Sequence, residues 1–144
     1  MKKITVFVCV LLSSINNMTA QDIPSHQWKE RVLIVLTTDT SNTIYNKQVQ
    51  LFKDNLPGLK ERKVKIYLAS PEVYKIFNSD KDSWNKGDSL YQKYKSKDSG
   101  IELVLIGLDG SVKSRKSKLI LMEEIFLVID GMPMRRSEIK KSKN

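Results

Sequence analysis

The chain has 144 residues, with 25 Lys or Arg against 16 Asp or Glu, a net charge of +9 and one cysteine. That length suits a single compact domain able to bury a core. One cysteine excludes an internal disulfide framework, and the basic balance favours anionic partners or serves solubility.

The first twenty residues read as a targeting segment. Lys2 and Lys3 precede an apolar run over 4–12 (ITVFVCVLL), then polar residues and Met18-Thr19-Ala20. That is the order of a secretory signal peptide cleaved after Ala20, which gives an exported protein of the periplasm or extracellular space. The apolar run is too short to cross a bilayer, which takes about 20 residues. A lipoprotein reading would need Cys9, which lies inside the apolar run without small residues before it. Cleavage removes Cys9, so the mature chain is expected to lack thiol and disulfide chemistry, and 23 basic residues then face 16 acidic ones.

Residues 31–37 (RVLIVLT) form a continuous β-branched and aliphatic run, as in a strand buried on both faces. The stretch 38–42 (TDTSN) is rich in helix-capping residues. Ile44, Tyr45, Gln48, Val49, Leu51, Phe52 and Leu56 then recur at helical spacing up to Pro57-Gly58, which reads as a stop. Residues 63–69 (KVKIYLA) predict a second strand. Ser70-Pro71-Glu72 predicts the start of a short helix with Val73, Tyr74, Ile76 and Phe77 on its apolar face. The stretch 78–100 is irregular, with a turn or two of helix over 89–95. Residues 101–107 (IELVLIG) predict a third strand, Asp109-Gly110 a tight hairpin, and 111–115 a polar fourth strand at a sheet edge. A last helix over 119–130 (LILMEEIFLVID) ends at Gly131 and Pro133, leaving 137–144 as a basic tail.

Strands joined through a helix run parallel with a right-handed crossover, while the hairpin makes the last pair antiparallel. The pattern therefore predicts an α/β, thioredoxin-like domain over 21–136. Its four-stranded mixed sheet has the order second, first, third, fourth strand, with helices on both faces.

Three segments carry a family likeness: Trp28 ahead of RVLIVLT, LVLIGLDGSVKSR over 103–115, and EEIFLVIDGMPMRRSEI over 123–139. In these the chain resembles the DUDES-type thioredoxin-like domain of unknown function, which has exported bacterial members and occurs in sushi-repeat-containing extracellular matrix proteins. The resemblance implies a fold distantly similar to peroxiredoxins, no established enzymatic activity, and binding rather than catalysis.

A thioredoxin-like enzyme would carry its cysteine where the first strand meets the first helix, whose N-terminus activates the thiol. Here that junction is 37–42, without cysteine, and Ser99-Gly100 rather than a proline precede the third strand. What remains is a helix N-terminus with hydroxyl and amide side chains (Thr38, Ser41, Asn42), able to hold an anion. The topology predicts that Arg115, Lys116 and Lys118 approach it; otherwise Ser41 caps the helix and the cations are solvated. His26 is the only histidine and reads as a surface residue in the lead-in. It leaves no metal-ligand set and no triad, and no cofactor is implied. Adjacent Glu123 and Glu124 read as favourable charges at a helix start. Met132, Met134, Arg135 and Arg136 either dock a partner or end the helix, with a Met plugging the core and Arg135 paired to Asp109 or Asp130.

Two functions follow. The first is a non-catalytic binding module for an acidic glycan, an anionic envelope surface or a protein partner, with no role for nucleic acid. The alternative is a small-molecule or anion-binding enzyme working at the first strand–helix loop.

Overall fold

The computed structural model describes residues 23–81, 83–96 and 99–143. The expected targeting segment, with Cys9, lies outside the described residues. After a 3₁₀ turn (Ile23–His26) come β1 (Arg31–Thr37), α1 (Thr43–Asp54), α2 (Leu56–Glu61), β2 (Val64–Ala69), β3 (Val73–Ile76) and β4 (Asn85–Lys86). The second half holds α3 (Ser89–Tyr94), β5 (Ile101–Ile106), β6 (Val112–Lys116), α4 (Met122–Asp130) and α5 (Pro133–Ser142).

β1 is buried at every position and forms the centre of the sheet. It runs parallel to β2, with Leu33 opposite Ile66, and antiparallel to β5, with Ile34 opposite Val104. Alternate side chains feed two cores. Leu33, Val35, Ile66, Leu68, Leu103 and Leu105 meet Phe52, Leu59, Ile125 and Ile129 from α1, α2 and α4. On the opposite face Val32, Ile34, Leu36, Val104 and Ile106 meet Ile23 and, from α3, Leu90 and Tyr94. Gln48, fully buried on α1, fastens the chain ahead of α4 by donating to the Ile120 carbonyl and accepting from its amide.

The sheet has six strands in the order β4-β3-β2-β1-β5-β6. The four expected strands are its β2-β1-β5-β6 core in the expected order. The helix expected after Ser70 is instead β3, folded back on β2 with Tyr67 opposite Ile76. Ser70 does not cap a helix: its amide and hydroxyl both donate to the Val73 carbonyl and close a turn. Val73, Tyr74 and Ile76 are β-branched or aromatic, which suits a strand as well as a short helical face. Pro57-Gly58 also differs from expectation. It does not end the helical region; Pro57 sits in the first turn of α2, where a missing amide costs nothing. A Cβ on Gly58 would lie 2.8 Å from the Phe126 ring, so the close seat of α4 requires glycine there.

The expected basic tail is helical through Ser142 as α5, so the boundary expected at 136 falls inside an element. An ion network holds α5 down. Arg31, without exposed surface at the start of β1, donates to the Arg62 carbonyl at 2.9 Å and faces Glu138 of α5 at 3.4 Å. Arg135 reaches Asp130 at 3.2 Å, Glu138 at 3.4 Å and Glu61. Arg62 pairs with Asp130 at 2.6 Å and lies over the Phe126 ring. Burial pushes the Asp130 carboxyl up, but hydrogen bonds from Arg62 and Arg135 outweigh it and leave it below the usual carboxylate range.

Two outcomes follow. Glu138→Ala leaves the Arg31 guanidinium without its counter-charge and is expected to cost about 3 kcal/mol in urea unfolding. A carboxyl held low in the folded state contributes stability in full above its unfolded pKa of 3.8 and loses it as pH falls. Stability should therefore decline from about pH 4 downward, and Asp130→Asn, though less stable at neutral pH, should show a flatter acid limb in pH-dependent melts.

Candidate functional site

The junction of β1 and α1 is closed by its own side chains. Asn42, rather than Ser41, caps α1, accepting from the Ile44 amide at 2.8 Å and the Tyr45 amide at 3.3 Å. Asp39 accepts from the Ser41 amide at 2.8 Å and hydroxyl at 2.6 Å, and these bonds hold its carboxyl below the ordinary range. A carboxylate thus occupies the loop where an anion was expected. Thr38 and Ser41 are exposed.

The cations expected there go elsewhere. Arg115 lies on the α3 face of the sheet, where its guanidinium donates to Glu102 and to the Tyr94 carbonyl. Glu102 has no exposed surface and also accepts from the Ser96 amide at 3.0 Å and hydroxyl at 2.6 Å, with Lys95 3.6 Å away. This cluster ties the end of α3 to β5 and β6. Lys116 borders α4 beside Glu124 and Val128, and Lys118 is exposed in the bend after β6. The structure therefore engages Arg115 with Glu102 and Tyr94 and sets Lys116 against α4, so neither answers the 38–42 loop.

The 132–136 motif resolves into two parts. Met132 packs against the core, and with Met134, Leu108 and Asp109 it lines a cavity of about 200 Å³, beside the hairpin as expected. Arg135 is buried in the ion network, while Met134 and Arg136 are exposed. His26 is not a surface residue. Its ring bridges Glu30 at 2.6 Å and the Tyr67 hydroxyl at 2.7 Å, fastening the 3₁₀ turn to β2. Among the described residues no three His, Cys, Asp or Glu side chains come together as metal ligands. No described helix is long and apolar enough to cross a membrane.

The concave surface lies on the other side of the sheet. β3 pairs only with residues 67–69, so the outer edge of β2 before them stays open beneath α2. There Lys29, Lys60, Lys63 and Lys65 line a groove of about 890 Å³ with Leu56, Pro57 and Phe77. Its one acid, Glu30, is held by His26. Leu56, Phe77 and Asn78 also line the adjoining cleft with Lys53 and Lys75, which ends at Trp84. Thr40 and Trp84 continue it to Asp39, Ser70 and Glu72. Through these shared lining residues the three concavities adjoin one another as a groove along β2, a strand whose six residues span about 20 Å. Tyr45 lines it, but burial pushes the phenol up to about 12, so it remains protonated at neutral pH.

Backbone conformation marks the same groove. Among the described residues three non-glycine positions have left-handed φ: Trp28 at 66°, Lys63 at 51° and Asn78 at 52°. Lys63 and Asn78 line the groove and Trp28 adjoins Lys29. Lys63 follows the end of α2 at the position that glycine usually fills. The basic cluster 60–65 (KERKVK) is a sequence signal for this surface, and its residues 63–65 fall in the run that predicts the second strand.

The sequence matches the family described as Domain of unknown function (DUF4174) over residues 22–138. The chain belongs to that family. No curated protein matches it. Among solved structures it is similar to the reduced 2-Cys peroxiredoxin of Plasmodium vivax, with a TM-score of 0.55 and 16% identity over 79% of this chain and 71% of that one. It is also similar to the mitochondrial 2-Cys peroxiredoxin of Plasmodium falciparum, with a TM-score of 0.52 and 11% identity over 83% of each. At such identities the likeness shows the thioredoxin fold alone, and the β1–α1 junction of this DUF4174 member contains no cysteine.

Left-handed backbone suits glycine and is hardest on β-branched residues. Lys63→Gly should change the unfolding free energy by less than about 1 kcal/mol, and Lys63→Val should be about 1–2 kcal/mol less stable than Lys63→Gly in thermal melts.

Proposed function

We propose that this DUF4174 domain is an exported, non-catalytic binding module that holds an anionic glycan in the lysine-lined groove along β2. The observation that carries the reading is the gathering of Lys29, Lys60, Lys63 and Lys65 at the α2 end of the groove, where the one lining carboxylate, Glu30, is already engaged by His26. A concave surface of one charge sign concentrates the field and draws anions from solution. Lysine suits this use. Its compact ammonium on a flexible stem meets spaced negative groups without demanding one geometry. Four of the five arginines serve the interior, since Arg31, Arg62, Arg115 and Arg135 are engaged in internal ion pairs, while Arg136 is exposed.

The resemblance to DUDES-type domains of extracellular matrix proteins agrees with a binding role, as does the order of the first twenty residues with export. The alternative, an enzyme at the 38–42 loop, finds less support. That loop offers exposed hydroxyls and a carboxylate that its hydrogen bonds to Ser41 hold low, which makes it a weak base.

Binding should be sensitive to salt, because the contacts are solvated. Replacing Lys29, Lys60 and Lys65 by Gln removes three contacts worth about 0.5 kcal/mol each, and should weaken binding to an acidic glycan on the order of tenfold. Titration calorimetry at two salt concentrations reads both effects. Absence of glycan binding by the wild-type chain at low salt would sink the reading.

A further inference from the structure

The groove changes character along its length. At the α2 end it is lined by four lysines, in the middle by Lys53 and Lys75, and at the far end by Trp84, Thr40, Asp39 and Glu72. Trp84 precedes the edge strand β4 and is 43% exposed, a large indole left open in a cleft. Asp39 and Glu72 have no ion-pair partner among the described residues. They are hydrogen-bond acceptors that repel a further negative charge. A ligand that follows the groove must therefore be anionic at one end. At the other it must offer hydroxyl donors and an apolar face.

We infer that the far end is a sugar subsite in which one pyranose ring of an acidic glycan stacks on Trp84 while its hydroxyls donate to Asp39 and Glu72. The inference rests on the groove reading above and narrows it. A pyranose ring carries both features required: axial C–H groups form an apolar face that fits an aromatic platform, and equatorial hydroxyls donate at its rim. A polyphosphate or a uniformly acidic peptide lacks both, and meets repulsion from two carboxylates at this end. A glycan that combines uronate residues with neutral sugars meets the lysines with its carboxylates and the indole with an uncharged ring. The open, elongated cleft accommodates a chain running along it rather than a ligand enclosed on all sides.

The test compares two probes of equal charge, an oligouronate capped by a neutral sugar and inorganic polyphosphate, against the full mature chain by calorimetry. Trp84→Ala should weaken the oligouronate about five- to tenfold and leave polyphosphate unchanged, and Trp84→Phe should restore most of the loss. In a Trp28→Phe background, where Trp84 is the only indole, the oligouronate should shift the fluorescence maximum and polyphosphate should not. Because Trp84 lies outside both cores, its replacement leaves the fold in place. If Trp84→Ala weakens both probes equally, or neither, the sugar subsite is overturned while the basic groove stands. If the wild-type chain binds polyphosphate but not the oligouronate, the subsite is likewise overturned. If it binds neither at low salt, the groove reading falls and the subsite with it.

Discussion

Arg31 places a fully buried guanidinium at the first position of the central strand, and a charge so enclosed is tolerable only if its surroundings answer it. The answer comes from far along the chain. The Arg62 carbonyl accepts from it, and Glu138 on the last helix faces it. Through Arg135, Asp130 and Arg62 the same network reaches α4 and α2. The two ends of the domain are thereby joined by compensation of charge, and α5 stays on the body although its own surface is polar. Without that network, the stretch after Pro133 would be the solvated basic tail that its composition suggests.

The sheet core was legible because its signals are redundant. RVLIVLT and IELVLI are long, apolar and β-branched, and Gly110, at a φ of 80°, marks the hairpin between β5 and β6. The misread elements are those decided by contacts distant in sequence. VYKI is only four residues long, and helical or strand periodicity cannot be separated over so short a span. It is a strand because the edge of β2 was available. Pro57-Gly58 reads as a stop by local rules, yet Gly58 is there to admit the Phe126 ring from a helix some seventy residues away.

The site was less legible than the fold, for a physical reason. A groove is made by what is missing above a surface, and no local pattern records that β3 leaves half the edge of β2 uncovered. Lys60, Lys63 and Lys65 stood in plain view as a charge cluster. Lys29 and Lys53 lie apart in sequence and join them only in the fold. Conversely, Arg115 looked like a surface cation because burial of a charge cannot be read without its partner, whereas for Arg135 one of the two pairings the sequence offered, that with Asp130, is present. Their partners, Glu102 and Asp130, sit inside apolar runs where a carboxylate is expected to be costly.

The division of labour between the two basic residue types has a consequence for how such a domain can change over time. Arginine carries most internal ion pairs and lysine the groove, so the residues that hold the shape and those that would meet the proposed ligand are nearly separate sets. Exchanging a groove lysine for a neutral or acidic residue alters what is attracted while the scaffold endures. One framework can in this way be retuned to successive partners through substitutions that each leave it folded.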